Sequence, residues 1–92
     1  MTLYGLLRME FLKTYHTPLY TAKLLTGEIY KDCLEFQKQA EERDERITNS
    51  YMEKEGVNEI LKAEDQMEWV RRMTSIRARV MEIMLNEMVF VL

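Results

Sequence analysis

Gly56–Leu92 reads GVNEILKAEDQMEWVRRMTSIRARVMEIMLNEMVFVL, with no proline and no glycine after its first residue. Its apolar residues recur at helical spacing on two adjoining rows. One row is Met67, Val70, Met81, Met84, Met88 and Val91; the other is Trp69, Met73, Ile76, Val80, Ile83 and Phe90. Together they make a stripe wider than one partner helix requires, so the helix is expected to touch several neighbours. A continuous helix over Asn58–Met88 would be roughly 45 Å long at 1.5 Å per residue. That is too long to bury within one small globule unless the first half of the chain covers it. Trp69, Met73, Ile76, Val80, Met84 and Met88 are the expected core or interface positions.

Working back from Gly56, the residues Glu28–Lys54 form a second long helix with the seam Ile29, Cys33, Phe36, Ala40, Ile47 and Tyr51. Gly56 ends it, Asn58 is placed to cap the next helix, Glu59 suits that helix's first turn, and Val57 suits a staple. A one-glycine corner between two long helices implies an antiparallel hairpin. Counting outward from Gly56 brings Glu41 and Glu42 level with Arg71 and Arg72. Asp32 and Glu35 come level with Arg77 to Val80. Ahead of the hairpin, Thr2–Tyr15 reads as an amphipathic helix weakened by Gly5. It stops before Thr17-Pro18, which begins a short helix, Pro18–Leu25, closed by a left-handed Gly27. The expected fold is all-α: a long antiparallel hairpin with two short N-terminal helices, of helical-bundle type, in one domain over residues 1–92.

Composition agrees with that reading. The chain has 92 residues, 32% charged and 47% hydrophobic, with three Gly and one Pro, as expected of a soluble helical protein. A net charge of −3 argues against nucleic-acid binding by the whole surface but leaves room for a local basic site. The lone Cys33 excludes an intrachain disulfide and fits a reducing cytoplasm. Residues 1–10 lack the apolar run of a signal peptide, and no apolar span is long enough to cross a membrane.

The sharpest local feature is Trp69–Arg79, which holds Arg71, Arg72, Arg77 and Arg79 and no acid, whereas residues 41–68 are rich in acids. Two readings fit. The arginines grip phosphates, with Trp69 as a stacking face; or they pair with carboxylates of the preceding helix while Trp69 fills the core. In the first reading Arg71 and Arg79 are the exposed, DNA-contacting members, because Arg72 and Arg77 lie nearer the apolar rows. The run Glu41–Arg46 is expected to be a solvated face with pairs such as Glu42–Arg46. Glu64, Asp65 and Glu68 are close enough in sequence to suggest a divalent cation, but no His joins them. His16 is expected in a polar or helix-end role, and Cys33 as a buried, inert thiol. No phosphate loop, zinc spacing or Ser/His/Asp set is present. No catalytic residue, metal, cofactor or small-molecule substrate is expected.

One set of short motifs runs through the second half: Glu55-Gly56-Val57, Asp65-Gln66-Met67, Trp69-Val70, Arg72-Met73, Ile76-Arg77, Arg79 and Glu82-Ile83. Tyr4-Gly5, Phe11-Leu12-Lys13, Leu19-Tyr20 and Gly27 precede them. With these residues nearly the whole chain resembles the TnpV-like proteins encoded on bacterial transposons, most specifically in the second half and more loosely in the first. The resemblance implies an accessory role in excision or transposition on a mobile element, through its DNA or its recombinase. The first helix, with Leu6-Leu7-Arg8-Met9-Glu10, is less basic than that family's pattern, which weakens any DNA contact through it. Among the shared residues, Asp65, Gln66, Arg72, Arg77 and Glu82 interleave with the apolar rows. They are expected to form a partly buried polar network that selects one packing. The alternative function is a helical interaction module without DNA contact. A homodimer is expected in either case, because Met81–Leu92 is apolar on nearly every face.

Overall fold

The spine of the molecule is a 27-residue helix, on which three of the other helices pack. The computed structural model describes residues 1–92 and contains helix and turn without strand: α1 Leu3–Tyr15, α2 Thr17–Thr26, α3 Ile29–Glu55, α4 Glu59–Glu64 and α5 Gln66–Met84, followed by a π-helical turn over Leu85–Val89. Punctuation is local. Thr17 Oγ1 donates to the Lys13 carbonyl at 2.9 Å where α1 ends, and Pro18 sits in the first turn of α2. Gly27 (φ 77°) and Gly56 (φ 67°) close α2 and α3 in the left-handed region, where a side chain would strain the backbone.

The expected second arm, Asn58–Met88, is not one helix. It breaks at Asp65, whose backbone (φ −147°, ψ 86°) leaves the helical region. The cause is a second cap. The Asn58 side chain accepts from the Leu61 N–H at 2.9 Å to start α4. Seven residues later Asp65 accepts from the Glu68 N–H at 3.1 Å to start α5. A short acceptor side chain offers the backbone this alternative to continuing a helix. The signal was in the sequence: Asp65-Gln-Met-Glu68 has capping-box spacing.

The break changes the register. The corner occupies Gly56–Asp65 instead of one glycine, so α5 returns along α3 displaced from the expected pairing. Arg79 meets Glu55, and Arg43 meets Glu87 at 3.1 Å. The two helices are therefore antiparallel, but Glu41 and Glu42 do not lie against Arg71 and Arg72. The expected hairpin of two unbroken helices is corrected accordingly.

Helix α1 runs antiparallel to the other end of α3. Thr2 donates from its N–H to Gln37 Oε1 and from its hydroxyl to Glu41 Oε1, each at 2.6 Å. Tyr4 OH donates to Asp44, and burial together with that carboxylate pushes the phenol pKa up. The main core gathers Tyr4, Ala40, Val57, Met73, Ile76, Val80, Met84 and Val89 from α1, α3, the corner, α5 and the π-helical turn. Val57 is buried in this core. A second cluster, Phe11, Leu12, Ile29 and Cys33, holds the other end of α1 to the start of α3.

The tail that was expected to drive dimerisation is partly covered by α1. Met84 and Val89 are buried, while Phe90, Val91 and Leu92 stay exposed. Arg8 Nη1 donates to the carbonyls of Val89 at 2.9 Å and of Val91, and its guanidinium lies over the Phe36 and Phe11 rings at 4.9 and 5.4 Å. A cation is well placed where a helix leaves its last carbonyls without partners. The molecule is long and thin, 54 × 19 × 18 Å, and no helix is long and apolar enough to cross a membrane.

Candidate functional site

Helix α5 turns Met73, Ile76, Val80 and Met84 into the core, where all four are buried. Trp69 and Met88 pack against that core while remaining partly exposed. With this face fixed, the 100° step of a helix sorts the remaining side chains. Glu68, Arg72, Ser75 and Arg79 fall on one flank. Met67, Val70, Thr74 and Arg77 fall on the other, and Arg71 and Glu82 point away from the core.

On the first flank, and at Arg71 beside it, the arginines are bound to carboxylates. Arg71 holds Glu68 with two donors, Nε at 2.8 Å and Nη2 at 2.5 Å. Arg72 reaches Glu68 at 2.7 Å through Nε and caps α3 by donating to the Glu55 carbonyl at 3.0 Å. Arg79 takes both Glu55 carboxylate oxygens at 3.0 and 2.7 Å, and its guanidinium lies 4.9 Å from the Tyr51 ring centre. The Arg71 and Arg72 hydrogen bonds hold the Glu68 carboxyl at about 2, well below the usual carboxylate range. Glu55, Arg71, Arg72 and Ser75 line an open, wholly polar cleft. The carboxylates come from the end of α3 and the first turn of α5, not from Glu41, Glu42, Asp32 or Glu35.

Of the two residues singled out for DNA contact, Arg71 is exposed, with a side chain 75% accessible. Arg79 is less so and is committed to Glu55 and Tyr51. Of the four arginines in Trp69–Arg79, the one with neither hydrogen bond nor ion pair is Arg77, a residue expected in the polar network. The structure does not bring that network together. Asp65 is an exposed cap, Gln66, Arg77 and Glu82 are exposed, and only Arg72 of the five bridges two elements. The five interleave with apolar residues in sequence, but at steps that carry most of them past the edge of the buried face.

The second flank has a different character. Met67 is 83% exposed and Val70 47% exposed, and Thr74 Oγ1 is turned back onto the Val70 carbonyl at 2.8 Å. Ile60, on α4 at the same corner, is 66% exposed. The corner is braced by Lys62, whose Nζ lies 4.7 Å from the Trp69 ring centre. Trp69 Nε1 is buried without a protein acceptor.

Glu64, Asp65 and Glu68 do not converge with another ligand-type side chain. His16 stands edge-on to Phe11 at 5.1 Å. Cys33 is buried, and burial pushes its thiol pKa up. Arg8, which ties α1 to the tail, was missed because its role depends on carbonyls eighty residues away. A family model described as transposon-encoded protein TnpV matches residues 1–89. No curated protein matches the chain, and no solved structure matches it.

Proposed function

The chain belongs to the TnpV family of transposon-encoded proteins, and from that premise we propose that it is an accessory protein acting through protein contact with its element's recombinase. The contact is the α5 flank Met67–Val70–Thr74–Arg77. One observation carries this reading: exposed apolar side chains share a helix flank with the one cluster arginine that has no carboxylate partner. Methionine and arginine are enriched at protein interfaces. A free guanidinium beside an apolar strip suits a partner segment that carries an acid next to apolar side chains.

DNA is the second reading, favoured by the exposure of Arg71. Its pair with Glu68 is an i, i+3 surface contact, a kind that contributes about 0–1 kcal/mol, so a phosphate could displace it. Arg79 is less available to a phosphate than Arg71, because the Tyr51 ring holds it as well as Glu55, and Arg77, without a carboxylate partner, is the second arginine of this reading. Two arginines per chain, inside a net charge of −3, give at most a shallow salt dependence.

The test is co-purification of the recombinase with the intact chain and with Met67→Glu and Arg77→Glu, alongside binding of the element's DNA ends across a salt series. Loss of capture in both variants with no salt-dependent DNA binding is the expected result. Unchanged capture, or DNA binding lost in Arg71→Ala together with Arg77→Ala, overturns it, the latter in favour of DNA.

A further inference from the structure

Four arginines are partly buried: Arg8, Arg43, Arg72 and Arg79. Three of them hold a carboxylate, Arg43 that of Glu87, Arg72 that of Glu68 and Arg79 that of Glu55. Arg8 holds none. The tail carbonyls engage only its Nη1. Its Nε and Nη2 have no protein acceptor, yet neither is sealed from solvent. With the guanidinium lying against the Phe36 and Phe11 rings, its Nε–Nη2 edge is the part left to offer. Burial pushes the Arg8 pKa down, and no carboxylate offsets that cost.

Arg8 lines a cleft of about 280 Å³ bounded by α1, α2, the first half of α3 and the tail. Leu12, Leu19, Phe36 and Leu92 give the cleft apolar walls. Lys23, also at the cleft, is paired with Asp32. Glu35 stands exposed at its rim without an ion-pair partner.

We propose that this cleft binds a small free monocarboxylate with an apolar body. Its carboxylate sits on the Nε–Nη2 edge of Arg8, and its hydrocarbon lies against Leu12, Leu19 and Phe36. A guanidinium edge and a carboxylate match as two donors to two acceptors. Glu35 selects the charge of the ligand, because it repels a second negative charge and so disfavours a phosphate dianion. The volume selects its size. At about 30 Å³ per water the cleft holds about nine waters, so the ligand has about that many non-hydrogen atoms or fewer. That is too few for a peptide with two bulky side chains, and it suits a short fatty acid. The cleft lies at the opposite end of α3 from Glu55 and Arg79, so this proposal stands or fails separately from the recombinase reading.

Hexanoate is the probe, added to the intact chain at neutral pH and followed by NMR at the arginine Nε–Hε signals. A ligand this small supports a dissociation constant of about 1 mM. The Arg8 signal is expected to move saturably while those of the exposed Arg71 and Arg77 stay in place. Hexanol lacks the charge and acetate lacks the hydrocarbon, and each is expected to bind at least about tenfold more weakly. Arg8→Lys keeps a cation for the tail but loses the two-donor edge, and is expected to weaken hexanoate about tenfold, read from the remaining cleft signals. Leu19→Trp, which fills the cleft from α2, is expected to weaken it at least as much. No saturable shift at Arg8 overturns the proposal. So does hexanoate binding no tighter than hexanol or acetate, or binding that Leu19→Trp leaves unchanged. If Arg8→Lys loosens the tail, seen as faster exchange at the Phe90 amide, the Leu19→Trp variant decides.

Discussion

Asp65 shows how one residue redirects this chain. Its side chain stops a helix that the apolar rows on both sides would otherwise continue, and so sets where α5 meets α3. Asp65→Ala removes the acceptor of the Glu68 N–H and is expected to cost about 1 kcal/mol of stability, read by urea denaturation. Gly56 acts at the other end of the corner. No atom lies near its α-carbon's missing substituent, so the cost of Gly56→Ala is purely that of a left-handed backbone, about 1 kcal/mol. Glu68 supplies a pH signature. Its folded pKa is depressed to about 2 by Arg71 and Arg72. For a depressed carboxylate, the stabilisation is complete above the ordinary carboxylate range and is lost as pH falls from there towards 2. NMR titration of its side-chain carboxyl is expected to show that low midpoint, with a return towards the ordinary range in Arg71→Ala combined with Arg72→Ala.

At the scale of elements, two of the joints between helices differ in kind. The joint of α5 on α3 is apolar at its centre, so Ile76→Ala is expected to cost about 2–5 kcal/mol. Ile76 is fully buried there. The arginines beside it add less. Arg79 and Glu55 are each more than a third exposed, so Arg79→Ala is expected to cost no more than about 1 kcal/mol. The joint of α1 on the tail depends on a cation. Arg8→Met keeps most of the apolar stem but leaves the carbonyls of Val89 and Val91 without their donor. Hydrogen exchange at the Phe90 amide, which closes the π-helical turn onto Leu85, is expected to accelerate in that variant while the Ile76 amide stays protected.

The whole molecule is stretched along α3. A radius of gyration of 16.6 Å compares with about 12 Å for a compact chain of this length. Stretching leaves apolar surface uncovered in several places, among them the outer face of α2, the tail Phe90–Leu92 and the α4–α5 corner. The corner is proposed to meet a recombinase. Stretching also spreads the charge. Glu55 at the end of α3 and Glu68 on α5 hold three of the four arginines of α5, and they reduce the positive potential that a phosphate backbone would meet. The intact protein is accordingly expected to show no retention on double-stranded DNA at about 150 mM salt, where surface charges more than about 8 Å apart are screened.

The sequence by itself determined that the chain is helical, where the turns at Gly27 and Gly56 fall, and that Met73, Ile76, Val80 and Met84 face a core, but it did not separate them from Met67 and Val70, which are exposed. These properties follow from the spacing of residues along one helix, from a proline, and from glycines that accept a left-handed backbone. It also held the clue to the break at Asp65, which a long apolar periodicity masked, because periodicity continues across a cap that interrupts the backbone. Only the tertiary structure decided which acid meets which arginine. Pairing depends on register, and register depends on how many residues the corner consumes. A corner of ten residues in place of one moved the arginines from Glu41 and Glu42 to Glu55, left Arg77 without a partner, and gave Arg8 the tail to hold.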